Sequence, residues 1–230
     1  MTSLPRLSIV IPVFNCWNFT EACLRDLSPL PDDHEIVVVD NGSTDGTYHN
    51  LLRRTGGHVV HLSKNQGFAG GCNAGYKAST GRSVMFLNND IRVKADAKAW
   101  TAPILEAAER GNLVSPTVGW LDRSFNFIGE APDFSDKHLC YLSGWNLTAR
   151  RDVLDRLVLP DHEGPFSTEF GLAYFEDTDL SFRAKELHIT MQAVQVPVVH
   201  FGKVTSKKLN TLRLYQPAKK KFIEKWAKRR

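Results

Sequence analysis

The stretch Glu35-Ile36-Val37-Val38-Val39-Asp40-Asn41-Gly42-Ser43-Thr44-Asp45-Gly46 decides the fold. Its unbroken β-branched run, without apolar/polar alternation, describes a strand covered on both faces, as strands of parallel α/β sheets are. The run stops at an acid and enters Asn, Gly, Ser and Asp, residues that turn the chain and cap helices. A helix over residues 47–54 follows. The same rhythm recurs around it: residues 7–13, then a helix opened by an Asn18-x-x-Glu21 capping box; 59–62, then 69–79; 83–87, then 95–110. This alternation predicts an α/β fold with a mainly parallel, Rossmann-like central sheet flanked by helices. In such sheets ligands lie beyond the carboxyl ends of the strands.

After about residue 111 the pattern changes to short strands at 113–118, 126–129 and 141–147, a helix over 175–187, and strands at 190–193 and 196–201. No Pro- or Ser-rich linker and no internal repeat separates the halves. Residues 1–212 therefore read as one domain, in which a half over 111–212 adds a smaller mixed wall to a half over 1–110. Residues 213–230 read as a basic C-terminal helix.

The 230 residues are 42% hydrophobic and 23% charged, which excludes disordered and collagen-like classes. No apolar run approaches the roughly 18 residues of a membrane span. The first residues lack the zones of a signal peptide, so a cytoplasmic chain is expected. Cys16, Cys23, Cys72 and Cys140 form no C-x-x-C pair and read as reduced thiols. The net charge of +4 averages two regions: residues 203–230 carry eleven basic residues and one acid (+10), residues 1–202 carry 18 basic and 24 acidic (−6).

Three strand ends carry polar clusters: Pro12-Val13-Phe14-Asn15, the 40–46 stretch, and Asn88-Asn89-Asp90. Residues 40–46 suit a turn and helix cap; Asp40 equally suits a ribose hydroxyl or the N–H edge of a base. Residues 88–90 form either a turn or, through the hard oxygens of Asp90, a divalent-cation site. The glycine-rich run Asn65 to Gly75 fits neither G-x-G-x-x-G nor the phosphate-loop spacing, arguing against a Rossmann dehydrogenase or P-loop enzyme. Its glycines permit close approach of a ligand or of another backbone. Glu176-Asp177-Thr178-Asp179 opens a helix whose positive end favours acids; a carboxylate there could also serve as a general base.

Taken in order, Ser8–Asn15, Val38–Thr47, Asn65-x-Gly67-Phe68-Ala69 through Asn73-x-Gly75, Phe86–Asp90 and Glu176-Asp177-x-Asp179-Leu180-x-x-Arg183 resemble a family 2 glycosyltransferase of the GT-A fold, closest to its rhamnosyltransferase-like branch, over roughly residues 7–205. The resemblance makes residues 1–110 the nucleotide-binding half and 111–212 the acceptor-side half. It implies that Pro12, Phe14 and Asn15 shape a base pocket, that Asp40 binds base or ribose, and that Asn65, Gly67, Ala69 and Asn73 support the donor. It aligns Asn88-Asn89-Asp90 with the family's D-x-D, leaving Asp90 as the charged ligand of a divalent metal, Mn2+ or Mg2+, and Asn88 and Asn89 on the donor. His200 would be a second metal or diphosphate ligand, or an ordinary strand-end histidine. Lys203 would neutralise diphosphate, or be a solvated lysine. Asp177 would be the catalytic base of an inverting transfer and Glu176 its orienting partner, also touching the acceptor. Trp145 would stack on an acceptor sugar or sit in the core. Gly144–Leu147 and Arg150-Arg151 fall where relatives build the donor-sugar and acceptor wall.

The expected partners are a UDP- or dTDP-linked sugar donor and a glycan or lipid-linked acceptor. With no Q-x-x-R-W motif after the E-D pair, single-sugar transfer in cell-surface polysaccharide synthesis is expected. In the tail, Pro217 suits a first helical turn, and Phe222, Ile223 and Trp226 form an apolar edge among lysines. That edge suits either an anionic membrane face or packing on the body. Two other functions stay open on the residues alone: a sugar-nucleotide nucleotidyltransferase, and a non-catalytic module binding carbohydrate or, through its basic tail, nucleic acid. Against the first, no Lys/Arg-bearing glycine loop follows the first strand; against the second stand Asp40, Asp90 and Asp177.

Overall fold

The computed structural model describes residues 4–202 and 211–229. In chain order the elements are β1 (Leu7–Val13), α1 (Trp17–Asp26), β2 (His34–Asp40), α2 (Thr47–Thr55), β3 (Val60–His61), α3 (Gly67–Ala78), β4 (Ser83–Leu87), β5 (Ile91–Val93) and α4 (Ala97–Glu109). Then come β6 (Leu113–Ser115), β7 (Val118–Leu121), β8 (Phe127–Ala131), β9 (Leu139–Leu142), β10 (Asn146–Arg150), α5 (Arg151–Asp155), α6 (Glu176–Glu186), β11 (Met191–Ala193), β12 (Val198–His200) and α7 (Thr211–Trp226).

Seven strands form the central sheet in the order β11-β6-β10-β4-β1-β2-β3. β4, β1, β2 and β3 run parallel, and β10 lies antiparallel between β4 and β6. Because successive strand residues face opposite ways, the buried sheet feeds two cores. Leu7, Ile9, Ile11 and Met85 pack with α1 and α4; Val10, Val39, Val84 and Phe86 pack with α3, α5 and α6. Carboxyl ends of β1, β2 and β4 thus come to one edge, as the alternation predicted.

Several expectations are corrected. The Asn18 capping box does not form: α1 begins at Trp17, with Cys16 as a left-handed cap and no capping side chain. Asp45 takes the Cys16 N–H instead, at 2.8 Å. The single strands expected at 113–118 and 141–147 are each two, the first split at Pro116, which lacks a ladder N–H. In the tail, Pro217 sits inside α7 and not in its first turn. α7 starts at Thr211 and buries Ala218, Phe222 and Trp226 in a third cluster with Phe125, Phe170 and Phe175. Of the two places expected for the aromatic edge, Phe222 and Trp226 take the one packed on the body, because three side chains spaced by four residues form one helical stripe. No helix among the described residues is long and apolar enough to cross a membrane.

Candidate active site

At the end of β2, Asp40 is fully buried. Its Oδ2 lies 2.9 Å from His61 Nδ1, on neighbouring β3, and accepts a long 3.4 Å bond from Ser43 N–H. Its Oδ1 has no partner. A buried carboxylate oxygen ordinarily has a hydrogen-bond donor, so this one is an exception within the fold. Tyr48 stacks on His61 with ring centres 4.1 Å apart. Asn15, in the left-handed region, accepts from Thr44 N–H and lets its own N–H donate to Ser43 Oγ, both at 2.8 Å. Half-buried Pro12 and Phe14 flank it. These bonds lock the β1 end to the 40–46 loop.

The glycine-rich run makes these contacts within the fold. Asn65 Oδ1 accepts Gly67 N–H at 2.8 Å, at the start of α3. Gly67 has φ +76°, and a Cβ there would meet the Leu172 backbone at 2.7 Å, so its freedom serves backbone approach. Asn73 is 5% exposed and is bracketed by Phe166, donating to its carbonyl at 2.8 Å and accepting from its N–H at 3.0 Å. Ala69 is buried in the core. The side chains of Asn73 and Ala69 are thus occupied within the fold, as is the Oδ1 of half-buried Asn65.

At the end of β4, pairing of β12 with β5 places His200 opposite Ile91, and Phe201 N–H donates to the Asp90 carbonyl at 3.0 Å. That register brings His200 Nε2 within 3.2 Å of Asp90 Oδ1 and 3.2 Å of Asn88 Nδ2. Asn89 instead donates to Thr20 Oγ1 at 2.7 Å, away from this cluster. Trp145 is 5% exposed, stacked on His200 at 5.2 Å and bonded to Thr117 Oγ1. One of its faces is thus occupied by the histidine. Arg150 pairs with Asp152, and Arg151 donates to the carbonyls of Gly81 and Ser79; both act within the fold. Lys203 lies outside the described residues.

Among the described residues no three His, Cys, Asp or Glu side chains group to hold a metal by themselves. Asp90 and His200 nevertheless supply a hard oxygen and an imidazole nitrogen side by side, a pair that fits Mn2+ or Mg2+ completed by phosphate oxygens and water.

A cleft of about 630 Å³ runs from Asn88, Trp145 and His200 to Glu176 and Asp177. The two acids stand in the first turn of α6, half-buried. Asp177 Oδ2 accepts Gly144 N–H at 2.9 Å and Oδ1 accepts Thr178 N–H at 2.7 Å. A Cβ at Gly144 would lie 3.0 Å from the Asp177 side chain, so a larger residue there would press on that carboxyl. Burial pushes both carboxyls above the usual range. In Asp177 those two N–H groups oppose the rise, whereas in Glu176 the charge of Asp177 adds to it. Glu130, on β8, also raises Asp177 and accepts from Ser143 Oγ at 2.9 Å.

Glu130, His61, Tyr174 and Tyr215 were not singled out in the sequence. His61 ends a strand run and could have been; the other three carry no local signal, since only long-range packing brings them to the cleft.

These features have relatives. The profile of glycosyl transferase family 2 matches residues 8–157. The chain is 33% identical over 129 residues to a PGL/p-HBAD biosynthesis glycosyltransferase of Mycobacterium tuberculosis (strain ATCC 25618 / H37Rv), covering 54% of this chain and 50% of that one. It is 32% identical over 99 residues to the putative teichuronic acid biosynthesis glycosyltransferase TuaG of Bacillus subtilis (strain 168), covering 40% and 38%. The chain therefore spans half or less of these relatives' lengths. Among solved structures, the mannosyltransferase PcManGT from Pyrobaculum calidifontis, in complex with GDP-Man and Mn2+, superposes with a TM-score of 0.61 at 21% identity, over 84% of this chain and 56% of that one. The architecture is a GT-A glycosyltransferase fold, and the chain belongs to glycosyl transferase family 2.

Proposed function

We propose that the protein transfers one sugar from a UDP- or dTDP-linked donor to a hydroxyl of a glycan or lipid-linked glycan acceptor, with inversion, in cell-surface polysaccharide biosynthesis. The observation that carries this reading is the Asp177 carboxylate, oriented by Gly144 and Thr178 at one end of a cleft whose other end holds Asn88 and His200. The mycobacterial and Bacillus relatives' names support the pathway, and the family supports the class. The amide-bearing 88–90 motif supports the narrower rhamnosyltransferase-like reading.

Asp40 takes a base or ribose hydrogen on its unpartnered Oδ1, between Asn15 and His61. Asn88 turns to the ribose or diphosphate. Asp90 and His200 would hold a divalent cation, which when bound would supply positive charge against the leaving diphosphate. Asp177 accepts the acceptor hydroxyl's proton while that oxygen bonds the anomeric carbon. The bond from that carbon to the diphosphate oxygen breaks on the opposite side, its electron pair leaving with the diphosphate. The two carboxyls divide the work because their environments differ: Asp177 carries two N–H bonds that favour its ionised form, while Glu176 keeps its proton to higher pH and donates to the acceptor. Membrane contact at the inner face would rest on outward lysines of α7 such as Lys220, without Phe222 or Trp226.

A donor screen reading released nucleoside diphosphate, with and without Mn2+, tests the reading. Asp177→Asn should nearly abolish release while nucleotide binding persists; retained turnover removes Asp177 as the base.

A further inference from the structure

The acceptor end of the cleft has a composition of its own. Beyond Asp177 it is walled by Leu121, Phe127, Tyr174, Phe175 and Tyr215, drawn from β7, β8, the approach to α6, and α7. Tyr215 stands edge-on to Tyr174, with ring centres 5.5 Å apart, and 5.4 Å from Phe175. Phe127 is 49% exposed at the mouth, and its neighbour Ile128 is 47% exposed. Of the polar side chains nearby, Ser143 donates to Glu130, and Asp177 is held by Gly144 and Thr178. Among the described lining residues no Lys or Arg appears, and the acids are Glu130, Glu176 and Asp177.

This wall discriminates by physical chemistry. A polyhydroxylated segment pressed against Leu121, Phe127 and Phe175 loses water without gaining hydrogen-bond partners from those side chains. A phosphate or carboxylate meets three acids in a partly desolvated cleft. An apolar group loses neither and covers ring surface otherwise open to water.

We propose that the acceptor presents an uncharged, apolar aglycone next to the hydroxyl that Asp177 deprotonates, and that this aglycone packs on Leu121, Phe127, Tyr174 and Tyr215. The inference rests on the transfer reading above and narrows its acceptor. Tyr174 and Tyr215 lie after residue 157, beyond the family match, and Leu121 and Phe127 within it.

The test uses the full chain and matched probes: free monosaccharides, the same sugars as phenyl and octyl glycosides, and the sugar phosphates. Acceptor-dependent release of nucleoside diphosphate should favour a phenyl or octyl glycoside over its free sugar by about tenfold or more in kcat/KM, with the sugar phosphate poorest. Equal use of the free sugar, or preference for the phosphate, overturns the proposal. Saturation-transfer NMR reads contact without turnover: signal should concentrate on the phenyl or octyl protons, and its absence, or equal signal from the free sugar, is also fatal. Phe127→Ser, at a half-exposed position, should remove most of the preference; a folded variant that keeps it overturns the assignment of the wall. Failure to bind any nucleotide sugar would instead strike the transfer reading, leaving the NMR result to judge the cleft alone.

Discussion

The two ends of the cleft are built in opposite ways. The proposed donor end is assembled from loops that directly follow β1, β2 and β4, and its polar groups mostly bind each other: Asn15 with Ser43 and Thr44, Asp45 with Cys16, Asn88 with His200. The proposed acceptor end is assembled from β7, β8, α6 and α7, held by a buried aromatic cluster and one charged knot. In that knot Asp179 accepts from Arg183, Trp226 and Lys225, each at 2.8 Å. Asp179 stands two residues after Asp177, so α7 fastens the helix that carries the proposed base. Chemistry at one end thus depends on strand order, and at the other on remote packing.

The comparison can be broken first at its centre. Asp177→Asn should lower turnover by about 10³-fold, within the range for loss of a general base, with nucleotide affinity unchanged by titration calorimetry. If α7 is a fastening and not an appendage, Trp226→Ala should destabilise the fold by about 3–5 kcal/mol, read as a large fall in Tm, because it empties a core position and strips a hydrogen bond from buried Asp179. The donor end should respond separately: Asp40→Ala is expected to weaken nucleoside diphosphate binding about 10- to 100-fold. A smaller effect joins the ends through charge. Since burial raises the Asp177 carboxyl and Glu130 raises it further, activity should fall with acid at a pH above the ordinary Asp value of about 3.9. Glu130→Gln should move that acid limb downward in a kcat profile. The sign for stability is opposite: the folded state binds these protons more tightly, so the contribution of the Glu176 and Asp177 pair to stability should decline as pH rises from the ordinary carboxylate range through their raised values. Lys220→Ala, at an exposed 4.0 Å pair with Glu224, should leave Tm within the scatter of surface substitutions.

Legibility in the sequence followed the range of the interactions. β1, β2 and β4 read correctly because continuous apolar runs need no knowledge of their partners. Asp40, Asn88 and Asp90 stood out as candidates because they end such runs. The bonds of Asn65 to Gly67 and of Asn73 to Phe166 were not legible, because an amide in a glycine-rich turn looks the same whether it faces a ligand or the backbone. Pro217 misled because its place in a helix depends on where packing starts that helix. Tyr215 lay within a lysine-rich tail and gave no local sign of reaching the cleft.

By itself, the sequence determined an α/β sheet with polar strand ends and an acid pair opening a late helix, since period, turn chemistry and caps act over a few residues. Tertiary structure decided the rest. Antiparallel pairing of β12 with β5 carries His200 to Asp90 across 110 positions, and burial of Phe222 and Trp226 turns a basic tail into a wall of the cleft. Such contacts are set by which distant apolar faces cover each other, a property of the packed whole that no local stretch encodes.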